Sequence, residues 1–471
     1  MLPKHSCLIG LVFVSYLLQA QEVNWVQTYE VSPHGTGAFD VISLSAQGFV
    51  VAGNAIFPPD SGNFQGWVMR TDLQGDVVWS RTYGDSTPET FTSVTLMNNQ
   101  LWIAGHNSSW PILYRIDLMG DSLWYKVFSE WELGRRLDRI LATPDGNLLV
   151  TSDHPVVSKL NALGNLVWSV RGPEYHNTVR ALALLPDGGY VVACNTNYIW
   201  DFQDTIAIRI YWVNEEGVVL DSADFTHYRW NYADCILPIS QDEVVVGGFS
   251  QPGQAFYDEY PLVFRINRAG QVAWEFIGSL DDIGREITGV QVVNDTIWAV
   301  SYNLHSELGA RSPYMYIFDP SGDLQGGLVI DVSPVGDSYD DVRAIASVQP
   351  AAIIVAGSTF GLGSVFKAFL AQISSASGTG EKWRGTKDLP LRAEFNIILG
   401  SETAVIELPE PIQGEVSIVI YDILGRTVYR TRQLMSNTQF VSFPMRAPSG
   451  MYFVTATHGQ HQWHGKAILC R

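Results

Sequence analysis

Polar residues recur at one position of a short apolar motif that the sequence repeats seven times. Aligned on that motif, the position holds Asp40, Thr92, Asp138, Arg180, Asp234, Thr288 and Arg343. Carboxylates and guanidiniums gathered in one ring could hold a polar group or an ion of a ligand. They could also satisfy one another, because buried ionic side chains usually pair for structural reasons. The sequence favours the structural interpretation and leaves ligand binding open.

The motif belongs to a longer repeat whose clearest mark is Asp/Asn-x-x-Gly. The glycines of this mark, 44 to 53 residues apart, are Gly75, Gly120, Gly164, Gly217, Gly270 and Gly322. In four copies a tryptophan follows four residues later, as Trp79, Trp124, Trp168 and Trp274. Asp or Asn opens a turn through its own backbone, and glycine adopts a positive φ that other residues resist. We therefore expect a hairpin at each copy, with the tryptophan as a wedge in the core.

Two further strands precede each hairpin, as in "FDVI" (39–42) and "GFVVAGN" (48–54). Four strands at this period are typical of a β-propeller blade. The seventh unit lacks its tryptophan strand, and the N-terminal "NWVQTYE" (24–30) resembles the missing piece. The sequence therefore predicts an all-β fold, a seven-bladed β-propeller over residues 21–376 that is closed by its N-terminal strand.

The two ends of the chain predict export and a second domain. Residues 1–20 have the basic start, short apolar run and small final residue of a signal peptide. Residues 377–388 read as a linker, and the alternating strands of 389–471 predict a small Ig-like β-sandwich. No other stretch is apolar enough to span a membrane, and a net charge of −19 argues against nucleic acid as a partner.

The C-terminal domain carries three motifs in order, "YDILGRTVY" (421–429), "APSGMYFVTATHG" (447–459) and "KAILCR" (466–471). They resemble the type A C-terminal sorting domain of the type IX secretion system of Bacteroidota. The resemblance implies that the motif residues are Asp422, Gly425, Arg426, Gly450, Tyr452 and Lys466. It also implies passage through the periplasm and across the outer membrane by the type IX machinery. The product would then be secreted or held at the cell surface.

The tryptophan repeats resemble those of quinoprotein-like propellers of exported bacterial proteins, which implies the fold but does not imply their cofactor. No catalytic motif is present, and we expect no cofactor and no metal. His458, His461 and His464 are three apart, so strand alternation separates them. The acidic pair Asp340–Asp341 is interpreted as solvated loop charge. Cys194 and Cys235 are either buried small residues or a single disulfide.

The longest predicted connections join the second and third strands of their blades and so emerge on one face of the disc. They carry aromatic residues beside carboxylates, and we take four aromatics as candidate ligand contacts: Trp200, Phe202, Phe256 and Tyr257. Aromatic rings next to carboxylates suit the binding of sugars or peptides. Packing of these loops over the blade rim explains the same composition equally well.

The leading hypothesis is a secreted or cell-surface propeller that binds a polysaccharide or a protein. The alternatives are a propeller-fold enzyme acting on polysaccharide and a structural surface-layer component. Unpaired carboxylates at one channel mouth would favour the enzyme. A paired ring would favour the binding protein.

Overall fold

The computed structural model describes residues 21–375 and 396–469, with gaps at 58–62, 85–86, 109, 154–155, 173–178, 197–205, 252–258, 279–284, 303–312, 331, 333–337, 349–350, 362–364, 400–402, 423–426, 445–449 and 459–460. The chain divides into two compact units, Met1–Lys382 and Trp383–Arg471. The predicted signal peptide and the predicted linker lie outside the described residues.

Seven four-stranded antiparallel sheets form the first unit, and each is one blade of a propeller. The innermost strands of blades 1 to 7 are β2 Thr36–Ser43, β6 Glu89–Met97, β10 Leu137–Ala142, β14 Ala181–Leu184, β18 Trp230–Pro238, β22 Glu286–Val293 and β26 Ser338–Val348. The second strands are β3 Phe49–Ile56, β7 Gln100–Asn107, β11 Leu148–Ser152, β15 Tyr190–Thr196, β19 Glu243–Gln251, β23 Thr296–Tyr302 and β27 Ala352–Gly361. The predicted seven-bladed all-β propeller is confirmed.

The outer half of each blade contains the hairpin with the Asp/Asn-x-x-Gly turn. The third strands are β4 Phe64–Thr71, β8 Pro111–Asp117, β12 Val157–Leu160, β16 Ala207–Val213, β20 Tyr260–Asn267, β24 Tyr314–Phe318 and β28 Lys367–Ser375. The outermost strands of blades 1 to 6 are β5 Val77–Tyr83, β9 Ser122–Val127, β13 Leu166–Val170, β17 Val219–Phe225, β21 Val272–Ile277 and β25 Leu324–Val329. In the seventh sheet, β28 pairs on its outer side with β1, Gln21–Tyr29. The short helices are a 3-10 turn at Ser45–Gln47 and α1 at Glu130–Leu133.

Neighbouring blades are joined by contacts from the repeat tryptophans to the next turn. Trp79 donates its indole N–H to the Leu118 carbonyl at 2.9 Å, and its ring lies against Gly120, where a Cβ would come within 3.1 Å. Arg70, which pairs with Trp79 across the hairpin, donates to the same Leu118 carbonyl at 3.0 Å. The prediction of a core wedge needs correction, because these tryptophans are half-buried between blades rather than enclosed in one.

The same contact recurs at other junctions, but blades 4 and 6 have no tryptophan at this position, and blade 6 has Gly326 there. Trp168 and Trp274 donate to the Glu215 and Pro320 carbonyls of the following blades at 3.0 and 3.3 Å. In blade 4 the pair is rearranged: Trp212 occupies the third-strand position and Asp221 the outer one. Asp221 then forms an ion pair at 2.6 Å with Arg268 of blade 5. An ion pair thus replaces the indole contact at that junction.

The innermost strands contain a second repeated feature, a one-residue β-bulge. In blade 2 the pairing passes from Phe91–Gly105 to Ser93–Ala104 and leaves Thr92 unpaired. A Cβ on Gly105 would lie 2.1 Å from the Thr90 carbonyl oxygen, so only glycine fits opposite the bulge. Glycines with the same close approach are Gly53, Gly248 and Gly357. In six of the seven innermost strands the bulge turns one residue toward the axis of the propeller, and this residue is polar in all of them except that of blade 1.

The described strands of the second unit form one five-stranded sheet. They are β29 Asn396–Leu399, β30 Thr403–Asp422, β31 Thr427–Pro444, β32 Gly450–His458 and β33 His461–Leu469. Strand β30 is central and pairs with β29, β31 and β32, and Val416, Ile418 and Ile420 on it are fully buried. The register pairs Asp422 with Tyr452 and Phe453 with Lys466, which brings three sorting-motif positions onto adjacent strands. Gly425 and Arg426 lie outside the described residues.

Cys194 and Cys235 are both free and buried, so the disulfide alternative is not realised. Within the described ranges, no helix has the length and apolar character needed to cross a membrane.

Candidate functional site

The bulged residues line a cavity at one end of the propeller channel. Its volume is about 220 Å³. One residue from each innermost strand contributes: Phe39, Thr92, Asp138, Arg180, Asp234, Thr288 and Arg343. Six of these seven are the residues that the sequence alignment placed in one ring. The structure therefore brings together Asp138, Arg180, Asp234 and Arg343.

Asp40 is not in this ring, and its predicted place there is wrong. In blade 1 the bulge falls on Phe39, since pairing passes from Ala38–Gly53 to Asp40–Ala52. Asp40 is therefore one residue further along, equivalent to Ser93 rather than Thr92. Its carboxylate is 5% exposed and accepts from the Ser93 hydroxyl at 2.6 Å and the Arg139 guanidinium at 2.7 Å. Asp40 thus ties blades 1, 2 and 3 together.

The cavity opens on the same face as the long connections. The bulges lie near the beginnings of the innermost strands, and antiparallel pairing puts the ends of the second strands beside them. A second cavity of about 440 Å³ lies toward the other end of the inner strands. Arg139 and Arg180 line both cavities and so stand between them.

Both carboxylate oxygens of Asp138 have partners within the protein. Its two oxygens are engaged by Arg136 Nε at 3.0 Å and by the Val179 backbone N–H at 3.0 Å. The residue is 6% exposed. Burial raises the pKa of Asp138 to about 6, against the opposing effect of Arg136. This carboxyl therefore changes its charge within the mildly acidic range.

Arg180 has looser pairing. Its Nη1 lies 3.4 Å from Asp234 Oδ1 and 3.9 Å from Glu286 Oε1, and 41% of its side chain is exposed. Burial, with the nearby Glu286 carboxylate as the next cause, raises the pKa of Asp234 well above its usual range. Asp234 is therefore a carboxyl that holds its proton more firmly than a solvated aspartate does.

Arg343 is paired with Asp341 on its own strand, β26. Burial raises the pKa of Asp341 even though Arg343 opposes the shift. Asp340 beside it is 2% exposed. The interpretation of Asp340–Asp341 as solvated loop charge is therefore wrong: both belong to an innermost strand.

Among the residues that the structure describes, two polar atoms of the cavity lining have no hydrogen-bond partner. They are His106 Nδ1 and Asp234 Oδ2, both removed from solvent. Burial, together with the charge of Arg136, lowers the pKa of His106, which keeps the imidazole neutral. Buried polar atoms are nearly always satisfied, so exceptions that line a cavity call for an explanation.

The aromatic loop candidates Trp200, Phe202, Phe256 and Tyr257 lie outside the described residues. The strand order does confirm that their loops join second and third strands, on the face where the cavity opens. Sequence reasoning missed six residues at or beside the cavity: Phe39, Thr90, His106, Arg136, Arg139 and Glu286. The glycine opposite the bulge gives a partial signal for Phe39, because it follows the bulged residue by 14 positions in blades 1, 5 and 7, although by 13 in blade 2.

Within the described ranges, no group of three His, Cys, Asp or Glu side chains is arranged to hold a metal ion. Each acid of the ring has an arginine near it instead: Arg136 for Asp138 and Arg180 for Asp234.

Comparison with known protein families decides the nature of the C-terminal unit. Residues 400–470 match the model described as a secretion system C-terminal sorting domain. The chain carries a type IX sorting domain. The protein is therefore exported, to the cell surface or the surroundings, and its sorting domain interacts with the secretion machinery.

No curated protein matches the chain. Among solved structures, the β-propeller domain of the Trilobed protease from Pyrococcus furiosus is 12% identical, with a TM-score of 0.44, over 74% of this chain and 98% of that one. A Dyadobacter fermentans protein of unknown function is 9% identical, with a TM-score of 0.44, over 76% and 99%. A streptogramin B lyase is 12% identical, with a TM-score of 0.38, over 60% and 92%. At these values none carries an inference about the activity of this protein.

Proposed function

We propose that this exported propeller is a binding protein whose ligand, a polysaccharide or a surface protein, enters the cavity at the channel mouth. The observation that carries the proposal is the ring itself. Bulges in six blades turn one side chain per strand toward the same cavity, which also contains two buried polar atoms without partners. A ligand that supplied a donor to Asp234 Oδ2 and a partner to His106 Nδ1 would relieve their desolvation cost.

The pairing of the ring acids favours binding over catalysis. Asp138 is held by Arg136 and by a backbone N–H, so it is poorly placed to exchange a proton with a substrate. The position of the cavity supports the same proposal, since it opens toward the long loops that carry aromatic residues. Loops on a rigid scaffold commonly carry binding function.

The proposal is tested by filling the cavity without changing its charge. Thr92 lines the cavity, whereas Thr82 is an exposed residue of β5. Full-length protein, Thr92→Phe and Thr82→Phe would be applied to a panel of immobilised polysaccharides and surface glycoproteins. We expect retention by the unaltered chain and by Thr82→Phe, and loss in Thr92→Phe. Retention in Thr92→Phe, or no retention of the unaltered chain, would overturn the proposal.

A second candidate function rests on Asp234. A buried carboxyl with a raised pKa beside a second carboxyl, Glu286, resembles the acid–base pairs of hydrolases and lyases. The candidate is a secreted enzyme acting on polysaccharide. Release of reducing sugar by the unaltered chain, abolished in Asp234→Asn and retained in Asp76→Asn, would support it. Absence of any release would leave binding as the function.

We further propose that β1 closes the ring. Trp25 and Tyr29 of β1 correspond to Trp79 and Tyr83 of β5. The Tyr29 hydroxyl donates to the Gly75 carbonyl at 2.7 Å, as the Tyr83 hydroxyl does to the Gly120 carbonyl at 2.7 Å. Trp25 also packs against Gly75, where a Cβ would come within 2.9 Å. These equivalent contacts support the assignment of β1 as the missing outer strand of blade 7.

Three remaining parts of the account are also proposals. The first 20 residues would be a signal peptide, removed in the periplasm of a member of the Bacteroidota. The second unit would complete an Ig-like sandwich around the buried face of β30, and the repeats would be related to quinoprotein-like propellers. Mass spectrometry of the exported protein, with an N-terminus at Gln21 as the expected result, tests the first of these.

A further inference from the structure

We propose that the cavity takes an acidic sugar residue, with Arg180 receiving the sugar carboxylate and Phe39 packing against the sugar ring; this inference rests on the binding function proposed above. The size of the cavity sets the first limit. About 220 Å³ lies below the range of roughly 300–1,000 Å³ that is usual for drug-sized ligands. One sugar residue at the end or side of a chain fits this space better than a folded peptide segment does.

The cavity lining offers guanidinium groups to an anion. Four arginines face the cavity, at positions 136, 139, 180 and 343, against two aspartates, at positions 138 and 234. Three more carboxylates, those of Asp40, Glu286 and Asp341, lie within 4 Å of arginines 139, 180 and 343, so an anion needs a guanidinium that is only loosely paired. A cluster of guanidiniums inside a concave, poorly solvated site attracts and orients a carboxylate.

Among those arginines, Arg180 is the least committed to protein partners. Arg139 is 2.7 Å from Asp40, and Arg136 is 3.0 Å from Asp138, whereas the ion pairs of Arg180 are 3.4 and 3.9 Å long. Its side chain is also 41% exposed. A ligand carboxylate could therefore form a bidentate pair with Arg180 without breaking a short ion pair.

The remaining lining matches a sugar rather than a simple anion. Phe39, half-buried, is the one aromatic residue of the bulge column and offers an apolar face to C–H groups. Thr90 and Thr92 also line the cavity. The Thr92 hydroxyl donates to the Leu137 carbonyl at 2.6 Å and the Thr90 hydroxyl accepts from Asn54 at 3.3 Å, so a sugar hydroxyl would donate to Thr92 or accept from Thr90. A free peptide carboxylate would pair with Arg180 but would make no contact with the Phe39 ring or the threonine hydroxyls.

Acid should strengthen this binding. The carboxylates that act on Arg180 come from four strands or their ends: Asp138, Asp234, Glu286 and Asp341. Protonation of Asp138, whose pKa is about 6, weakens one competitor for the guanidinium, while a sugar carboxylate remains ionised in mildly acidic buffer. Binding of an acidic sugar should therefore tighten from neutral to mildly acidic conditions.

The test is calorimetric titration of the full chain with three ligands: glucuronate, its neutral counterpart glucose, and acetyl-dialanine, which carries a free peptide carboxylate. The variants are Arg180→Gln, Arg180→Lys and, as the control, Arg209→Gln. Arg209 forms a bidentate pair with Asp224 in the outer half of blade 4, outside the cavity lining. Arg180→Lys keeps the charge and guards against a variant that fails to fold.

We expect glucuronate to bind and glucose to bind at least about tenfold more weakly. Arg180→Gln should lose about tenfold or more in affinity, Arg180→Lys a smaller factor, and Arg209→Gln nothing. Equal binding of the two sugars, unchanged binding in Arg180→Gln, or tighter binding of acetyl-dialanine than of glucuronate would overturn the inference. Retention of a neutral polysaccharide that Thr92→Phe abolishes would overturn only this inference and leave the binding function standing.

Discussion

At the scale of single residues, burial determines how the ring titrates. Asp138 has a pKa raised to about 6 by burial, so the folded state keeps its proton to a higher pH than the unfolded chain does. Stability from this group is therefore present below about pH 4 and is lost as the pH rises through about 6.

Asp138→Asn should remove the decrease in stability that Asp138 causes as the pH rises. Relative to the unaltered protein, we expect the variant to gain about 2–3 kcal/mol of unfolding free energy between pH 4 and pH 7. Urea unfolding of both proteins at several pH values measures the difference. Asp76→Asn, in an exposed turn, controls for the effect of adding an amide. A constant difference between Asp138→Asn and the unaltered protein across this range would contradict the account.

The types of the ring residues could be read from the sequence, but their environments could not. The alignment identified Asp138, Arg180, Asp234 and Arg343 as neighbours because the repeat puts them at one position. Glu286 and Arg136 escaped notice because they lie just outside the repeated motif and reach the cavity from strand ends. Their effects on pKa depend on distances that no spacing in the sequence contains.

At the scale of the strand, the β-bulge is the device that builds the cavity. Gly105→Ala should disrupt it, since the new Cβ would lie 2.1 Å from the Thr90 carbonyl oxygen. We expect a loss of about 1–3 kcal/mol in urea unfolding, together with weaker ligand binding because Thr92 is displaced. Gly326→Ala is the matched control, because nothing lies within 4 Å of its added Cβ. Similar stability of the two variants would show that the bulge does not require glycine.

The strand pattern was predictable and the bulge was not. Alternation and glycine turns specify which segments are strands, and these predictions hold in all seven blades. A bulge shifts the register by one residue, which explains why Asp40 was aligned with Thr92 although it is equivalent to Ser93. The glycines at 53, 105, 248 and 357 are visible in the sequence. They indicate a bulge only once the residue that faces each of them on the innermost strand is known.

At the scale of the whole molecule, the contacts between blades should make the ring cooperative. If β1 closes it, Trp25→Ala and Trp79→Ala should destabilise the protein by similar amounts, roughly 2–3 kcal/mol for a half-buried indole. Thermal and urea unfolding of the two variants provide the comparison. A large effect of Trp79→Ala with none for Trp25→Ala would show that β1 is dispensable and that the ring is open.

The architecture of the chain was accessible from its repeats, and its export from the three C-terminal motifs. The ligand was not accessible, because the side chains that would recognise it come from blades up to 300 residues apart. Only the cavity shows that a phenylalanine, four arginines, two aspartates and two polar atoms without a partner among the described residues meet at one place.

The most direct test of the central claim is a crystal structure of the full chain grown with glucuronate. The account predicts density for the sugar in the channel-mouth cavity, with its carboxylate on Arg180 and its ring beside Phe39. Density for the sugar only outside that cavity, at well-occupied sites on the loops or the opposite face, would contradict it.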